Sequence, residues 1–371
     1  MKIVFIQHDN YPYGATQSLL TLIDGLQKYY PEIQLEIIIP EDGYLEQIFK
    51  RKKIPIFSVF YPWWFVRANE LTIRRRLSII YHSARVAWIL RTRLKKGSKP
   101  DFIVTNTSVV GVGIFLALFL YVKHVWYLRE FGDIDHGLYP VLGKLQMVIG
   151  TRLSDTVIVN SNFLKKYVET KYFYGNSQVL YNGIREYPDE SQEIFHDGAI
   201  NYGIIGNISF NKGQKETLFA FKEVLAEIPN AKLWIIGGGD QTILTEMTIW
   251  ESLKDNVIFT GMVANVNEYY YKLGVVIVAS RYEAFGRVAV EGMMAGLPII
   301  GRNTSGTAEL IKDGETGFLF NSNTELKNKM ILLGNDKELR IKLGQNAKAY
   351  ARATFSIKKY ATGFVNILSN K

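Results

Sequence analysis

The chain of 371 residues contains no cysteine. That absence excludes disulfides, thiolate zinc sites and a cysteine nucleophile, and it fits a reducing compartment. Uninterrupted apolar sequence is also scarce. The longest run is VVGVGIFLALFLYV, Val109–Val122, which falls short of the roughly 18 residues a membrane span needs and reads as a buried helix. No G-x-G-x-x-G follows the first apolar segment. Only Gly14 stands in the turn QHDNYPYGAT, against a nicotinamide-binding enzyme. The opening MKIVFI runs at once into polar residues and reads as a first strand, not as a signal peptide. We find no short repeat and no low-complexity tract.

Acid is missing from one long window. Between Arg67 and Lys99 stand ten basic residues (Arg67, Arg74, Arg75, Arg76, Arg85, Arg91, Arg93, Lys95, Lys96 and Lys99) and a single acid, Glu70. This window therefore carries as much net charge as the whole chain, +9. Trp63, Trp64, Phe65, Tyr81 and Trp88 accompany it. Basic residues interleaved with tryptophan suit an anionic membrane surface, so residues 63–99 are expected to contact one. Nucleic acid and a merely solvated helix face are the competing readings; nucleic acid is not expected as a partner.

A length of 371 residues predicts two domains. Apolar strands alternate with helical segments from the start: Lys2–Ile6, Leu35–Pro40, Ile54–Phe60, Asp101–Thr105, His124–Leu128, Thr156–Asn160 and Gln178–Tyr181 as strands, with helices over Gln17–Leu26 and Leu71–Lys96. A polar, weakly periodic stretch at Ile184–Ile200 reads as a linker. A second series follows at Tyr202–Ile205, Leu233–Ile236, Val257–Thr260, Val275–Val278, Leu297–Ile300 and Gly317–Phe320, with final helices over Asp336–Arg352 and Ser356–Leu368. This alternation predicts an α/β chain built on doubly wound parallel sheets. The expected domains are residues 1–185, with helix 356–371 packing back on them, and residues 186–355. Ligands of such sheets bind beyond the carboxyl ends of the strands, and a cleft between the two halves is the expected site.

The chemistry concentrates in ASRYEAFGRVAVEGMMAGLPIIGRNTSGTAELIKDGETGFL, residues 279–319. Glu283 and Glu291 stand eight apart, and Phe285-Gly286-Arg287 between them opens a helix. A helix start offers free N–H groups and the positive end of its dipole, which suit a phosphate. Glu283 sits at the mouth of that site and Glu291 about a turn and a half inside the helix. Backbone could hold a diphosphate while the carboxylates hold hydroxyl-bearing groups. These are the parts of a nucleotide-sugar.

This stretch resembles glycosyltransferase family 4, retaining enzymes of the GT-B fold. The likeness lies in the E-x7-E spacing and in the run Gly306-Thr307-Ala308-Glu309-Leu310-Ile311-Lys312-Asp313-Gly314-Glu315-Thr316-Gly317. It extends to Gly206–Gly213, similar to a G-R-x-x-x-x-K-G loop in which an arginine and a lysine grip the donor diphosphate. Lys212 matches the lysine. Asn207 stands where the arginine is expected, so one phosphate cation is missing and Arg287 is the candidate replacement. Ser161 and Asn182-Gly183 match further family positions. Gly237-Gly238-Gly239-Asp240 is a weaker sign.

The resemblance implies a GT-B architecture of two Rossmann-like domains facing a central cleft, and a retaining transferase that moves a sugar from a nucleotide-diphosphate donor. The expected acceptor is a glycan or polyprenyl-diphosphate-linked glycan of bacterial surface polysaccharide synthesis. The expected location is cytoplasmic, at the inner face of the membrane. Glu283, Lys212 and Arg129 are the implied catalytic candidates. Gly14, Asn207, Lys212, Met262, Phe285, Gly286, Arg287 and Glu291 are the implied donor-binding ones. No cofactor and no metal are expected. Arg129-Glu130 occupies a place where many relatives carry a histidine; His8 and His136 are the other histidines able to approach the cleft. Asp133-Ile134-Asp135 spells the D-x-D of metal-dependent transferases of another fold, but it lies beyond a strand rather than closing one. Two alternatives stay open: a nucleotide-sugar 2-epimerase of the same fold, and a non-catalytic sugar-nucleotide or nucleic-acid binding protein.

Overall fold

The computed structural model describes residues 1–11, 14–67, 72–172, 177–187 and 200–370. The stretch 188–199, most of the segment read above as a linker, lies outside the described residues, as does Leu71 at the expected start of the basic helix. The chain divides into two compact units. Unit 1 is Met1–Gly183 with Ile357–Lys371, and unit 2 is Ile184–Ser356.

Unit 1 holds strands β1 (Lys2–Ile6), β2 (Gln34–Ile39), β3 (Ile56–Ser58), β4 (Phe65–Arg67), β5 (Phe102–Thr105), β6 (Lys123–Leu128), β7 (Leu138–Pro140), β8 (Thr156–Val159) and β9 (Ser177–Val179). Seven of them form a parallel sheet in the order β3-β2-β1-β5-β6-β8-β9. The reversal of winding falls between β1 and β5, and chemistry is expected beyond the carboxyl ends at such a point. Strands buried on both faces read as continuous apolar runs, as Ile3–Ile6 and Val125–Leu128 do. The last helix, Ile357–Ser369, lays Tyr360, Ala361, Phe364, Ile367 and Leu368 into the same core as Ile3, Phe5, Leu19 and Ile23.

Unit 2 repeats the plan with β10 (Asn201–Ile205), β11 (Lys232–Ile236), β12 (Val257–Gly261), β13 (Val275–Val278), β14 (Ile299–Arg302) and β15 (Gly317–Phe320). Their order is β12-β11-β10-β13-β14-β15, all parallel. The reversal here falls between β10 and β13. The core gathers Tyr202, Ile204, Phe221, Leu233, Ile277, Ile300, Phe320 and Met330.

Three local expectations need correction. The apolar run Val109–Val122 forms a helix only over Val112–Leu120. Val109 and Val110 are buried ahead of it, and Tyr121 closes it in the left-handed conformation at φ 53°. The strand expected over Ile54–Phe60 shrinks to Ile56–Ser58, and an antiparallel ribbon of β4 with β7 follows that sequence periodicity did not reveal. Three-residue strands carry too few alternations to register as a period. That ribbon draws Trp64 inward. Its ring is buried and its indole N–H donates to Ser83 Oγ at 2.8 Å, so Trp64 is core and not part of an interfacial surface.

The basic helix runs Ile73–Leu94, opened by Thr72, whose hydroxyl accepts the Arg75 N–H at 3.3 Å. Ile79, Ser83, Ala87, Leu90 and Leu94 are its buried side chains, a spacing of three and four that defines one face. Arg74, Leu77, Tyr81, Arg85 and Trp88 recur at similar spacing and are exposed. Arg91 turns partly inward and donates to the Phe119 carbonyl at 2.9 Å, while Arg93 stays exposed with its guanidinium 4.1 Å from the Phe57 ring centre.

Candidate active site in the C-terminal unit

The two loops that leave β10 and β13 are neighbours because their strands flank the winding reversal of unit 2. The β10 loop turns at Gly206, passes Asn207 and ends in a single 3-10 turn, Phe210–Lys212. Gly213 then starts helix Gln214–Glu227 at φ 74°. A Cβ there would stand 2.4 Å from the Ala279 carbonyl oxygen, so only glycine lets the two loops approach. Asn211 clasps the second loop from both sides. Its amide donates to the Tyr282 carbonyl at 3.0 Å, its side-chain oxygen accepts the Tyr282 N–H at 3.0 Å, and its own carbonyl accepts the Arg281 N–H at 2.8 Å.

This clasp sets Lys212 against Glu283. Nζ and Oε1 are 2.5 Å apart in a partly buried ion pair. The Glu283 backbone is fixed from beyond: its N–H donates to Ser305 Oγ at 2.9 Å, and its carbonyl accepts the Gly306 N–H at 2.9 Å. Gly306 packs so closely that a Cβ would meet the carbonyl oxygens of Glu283, Ala284 and Phe285 at 2.7, 2.8 and 2.9 Å.

Phe285 is buried and meets Phe355 edge-on at 5.9 Å. Gly286 caps helix Arg287–Met294 at φ 93°. Glu291 is the fifth residue of this helix, so it lies about one turn in, slightly nearer the mouth than the spacing suggested. Arg287 donates to Glu291 Oε1 at 2.9 Å, and Tyr270 OH donates to Oε2 at 3.1 Å. Burial, with Glu291 adding to it, holds the Tyr270 phenol well above its ordinary range, so it stays protonated and donates. Tyr187 packs against the Tyr270 ring at 5.7 Å and is raised in the same way. Tyr270 and Tyr187 are partners that the sequence reading did not single out. Nothing in their local pattern marks them, because Tyr270 reaches Glu291, and Tyr187 reaches Tyr270, only through the fold.

Each site acid thus faces a site cation, Glu283 with Lys212 and Glu291 with Arg287. Asn207 and Met262 stand at the same carboxyl edge. Both are exposed, and Gly238 lies beside them. Asn207 supplies its backbone carbonyl to the buried Gln214 side chain at 3.2 Å.

Unit 1 holds the other candidates. Gly14 begins helix Gly14–Tyr29 and is exposed. Arg129 is buried, and its guanidinium is committed: to Asn106 Oδ1 at 2.9 and 2.7 Å, to Asn182 Oδ1 at 2.6 Å and to Tyr360 OH at 2.9 Å. It lies 3.7 Å from the Tyr127 ring centre. A cation so enclosed ties together the ends of β5, β6 and β9. Glu130 is tied to Thr107 Oγ1 at 2.9 Å and to the Ser108 N–H at 3.1 Å. His8 lies tilted against Trp63 at 5.8 Å and 3.3 Å from Asp9, while His136 is exposed. Asp133 accepts from Tyr167 and Lys171, and Asp135 from the N–H groups of Phe131 and Gly132 at 2.9 and 2.8 Å. Both acids of the D-x-D are therefore engaged in holding local structure.

Two parallel-sheet units of Rossmann type, the second with a phosphate-suited helix start between paired acids, define the GT-B class of glycosyltransferase folds. Crystallised Anabaena HepE in complex with UDP is similar over 100% of both chains, with a TM-score of 0.77 at 19% identity. A Rickettsia africae glycosyltransferase gives a TM-score of 0.79 at 16% identity over 100% of this chain and 99% of that one. Residues 189–350 match the family model of glycosyl transferases group 1. Among the chain's relatives, the capsular polysaccharide biosynthesis glycosyltransferase CapM of Staphylococcus aureus is 27% identical over 54% of each chain. An uncharacterized glycosyltransferase of Methanocaldococcus jannaschii is 28% identical over 60% of this chain and 62% of that one. The chain thus spans less than two thirds of the length of these relatives.

Proposed function

We propose that this chain is a metal-independent, retaining glycosyltransferase that moves a hexose from a nucleoside-diphosphate sugar to a glycan or lipid-linked acceptor in surface polysaccharide synthesis. The observation that carries this reading is the pair of cation–carboxylate contacts, Lys212 with Glu283 and Arg287 with Glu291, set around the start of helix Arg287–Met294. Arriving diphosphate competes for both cations. Lys212 and Arg287 turn to its oxygens, Arg287 standing in for the arginine missing at Asn207. The freed carboxylates then accept hydroxyls, Glu291 from the ribose and Glu283 from the sugar. A site whose charges are paired before binding avoids leaving a lone acid in a partly buried place.

Charge on the diphosphate grows as the glycosidic bond breaks. The amides of Phe285, Gly286 and Arg287 are fixed donors for that charge, and Lys212 joins them once it has turned from Glu283, so together they favour the transition state over the bound ground state. Reaction occurs on one face of the sugar, with the leaving phosphate accepting the proton of the acceptor hydroxyl. Met262 and Gly238 border the base. HepE carries UDP in its crystal structure, and a uridine donor is accordingly the first to try here. The exposed face Arg74, Leu77, Tyr81, Arg85 and Trp88 suits an anionic membrane surface on which a lipid-linked acceptor would be presented.

A donor screen reading nucleoside diphosphate release, run with and without excess EDTA, tests the proposal. Turnover that needs an acceptor, survives EDTA and retains the anomeric configuration of the donor supports it. Conversion of the donor alone to its 2-epimer, or loss with EDTA and rescue by Mn²⁺, refutes it.

A further inference from the structure

The carboxyl edge of unit 2 carries a second charged group beside the paired acids. Arg302 ends β14, Arg281 lies three residues past β13, and Glu216 stands in the first turn of helix Gln214–Glu227. Arg281 Nη2 lies 2.5 Å from Glu216 Oε1, and its guanidinium sits 4.0 Å from the ring centre of Phe210. Arg302 Nε donates to the Ala279 carbonyl at 2.9 Å, and its guanidinium is 5.1 Å from the Phe320 ring centre. Burial pushes the Glu216 carboxyl up, but the Arg281 hydrogen bond and the charges of Arg281 and Arg302 bring it below its ordinary value. Burial lowers Arg302, which Glu216 supports and Arg281 opposes. Only Arg281 bonds the carboxylate, and the two guanidinium groups with one carboxylate leave a net positive charge.

Donor capacity is also left over. Arg281 Nε and Arg302 Nη2 are buried and have no hydrogen-bond partner among the described residues. A buried N–H on a cation is costly to leave unpaired, and a planar guanidinium fork matches an oxyanion in two-point contact. The Arg281 backbone cannot drift. Its N–H is held by Asn211, and its carbonyl accepts Thr304 Oγ1 at 3.0 Å. The pair also looks away from Lys212. Phe210 and Lys212 lie two apart in one 3-10 turn with three residues per turn, so their side chains leave in different directions. Lys212 goes to Glu283, and Phe210, which is exposed, goes to Arg281.

We propose that Arg281 and Arg302 form an oxyanion subsite, adjacent to the donor diphosphate site and separate from it, for a phosphate or carboxylate group carried by the acceptor. The assignment of the anion to the acceptor rests on the transferase reading. The subsite itself does not, and its test uses no turnover.

Inorganic phosphate is titrated against ¹⁵N-labelled whole protein while the arginine Nε–H resonances are followed, with acetate as the carboxylate arm. Arg281→Lys and Arg302→Lys assign the two signals. The expected result is a saturable shift of the Arg281 signal with one or both anions. Which anion saturates it tells phosphate from carboxylate. Arg302→Gln should weaken the saturation at least about tenfold, the loss of one charge-assisted contact. Lys212→Gln should leave it within twofold. Circular dichroism checks that each variant is folded, and Arg302→Lys, which keeps charge but loses the fork, should fall between parent and Arg302→Gln. Absence of a saturable shift with either anion overturns the proposal. So does a shift abolished by Lys212→Gln, which would assign the anion to the donor site.

Discussion

Glu291→Ala separates binding from folding in a way the structure allows to be worked out beforehand. In the parent, Glu291 accepts from Arg287 at 2.9 Å and from Tyr270 OH at 3.1 Å. Removing the carboxylate leaves the fully buried Tyr270 hydroxyl without this acceptor, which costs about 1–3 kcal/mol. Arg287 is partly exposed and recovers by hydration, so it adds little. Melting should therefore fall by a few degrees, at about 2–4 °C per kcal/mol for a unit of this size. On the proposed donor role, two ribose hydroxyls lose a charged acceptor, each contact contributing about 1.5–3 kcal/mol. Part of that is already offset, because in the parent the ribose must displace Arg287 and Tyr270. A net loss of about 1.4–3 kcal/mol remains, or roughly a 10- to 150-fold rise in donor KM. Initial rates of nucleoside diphosphate release against donor concentration give the number. Tyr270→Phe removes the phenol alone and should leave donor KM within about threefold. A folded Glu291→Ala protein with parental donor KM would refute the ribose role and the partner exchange together.

Three other perturbations bear on separate parts of the argument. Gly306→Ala should displace the Glu283 loop, because its Cβ meets three carbonyl oxygens, and lower kcat at least about tenfold; a variant with parental kcat would show that this loop does not position the sugar. His124 is buried between Thr105 and Ser154, and burial lowers its imidazole to about 3, so it is neutral in the fold and charged in the unfolded chain below about pH 6.5. Its contribution is full above pH 6.5 and is lost as pH falls toward 3, at up to about 1.4 kcal/mol per pH unit; urea unfolding of His124→Gln should show a shallower dependence between pH 6 and 5, and an unchanged slope counts against it. Arg74→Gln with Arg85→Gln removes two cations from the exposed face, about 2 kcal/mol of attraction, so affinity for phosphatidylglycerol vesicles should drop roughly thirtyfold; parental binding would reduce this helix to a solvated surface.

Much of the frame could be read from sequence because buried parallel strands announce themselves as apolar runs. Val275–Val278 and Gly317–Phe320 appear where the runs stand, while β14 lies two residues later than expected, from Ile299 to Arg302. The shift has a cause: Leu297 and Pro298 are buried in the approach, and pairing with β15 carries the strand on into polar Arg302. The E-x7-E spacing located Glu283 and Glu291 but not their partners. Lys212 is 71 residues from Glu283 and Tyr270 is 21 from Glu291, and contacts at such separation follow from strand order. Arg129 shows contacts that sequence does not disclose. Its place after β6 suggested chemistry, yet three elements close over it, which no local pattern discloses. Trp64 was misread for a similar reason, since composition records that a tryptophan is near arginines and not which way it turns.

The way the chain returns at its end has a consequence for how it is made. Ile184 bridges Ser356, and its N–H donates to the Phe355 carbonyl at 2.9 Å, so unit 2 begins and ends at one point. It is an insertion with tied ends inside a unit that is complete only when Tyr360, Phe364 and Leu368 arrive. During synthesis the inserted unit has all its strands before its host has its last helix. A nonsense codon after residue 356 would therefore spare the segment nearest to it and damage the one that starts at Met1.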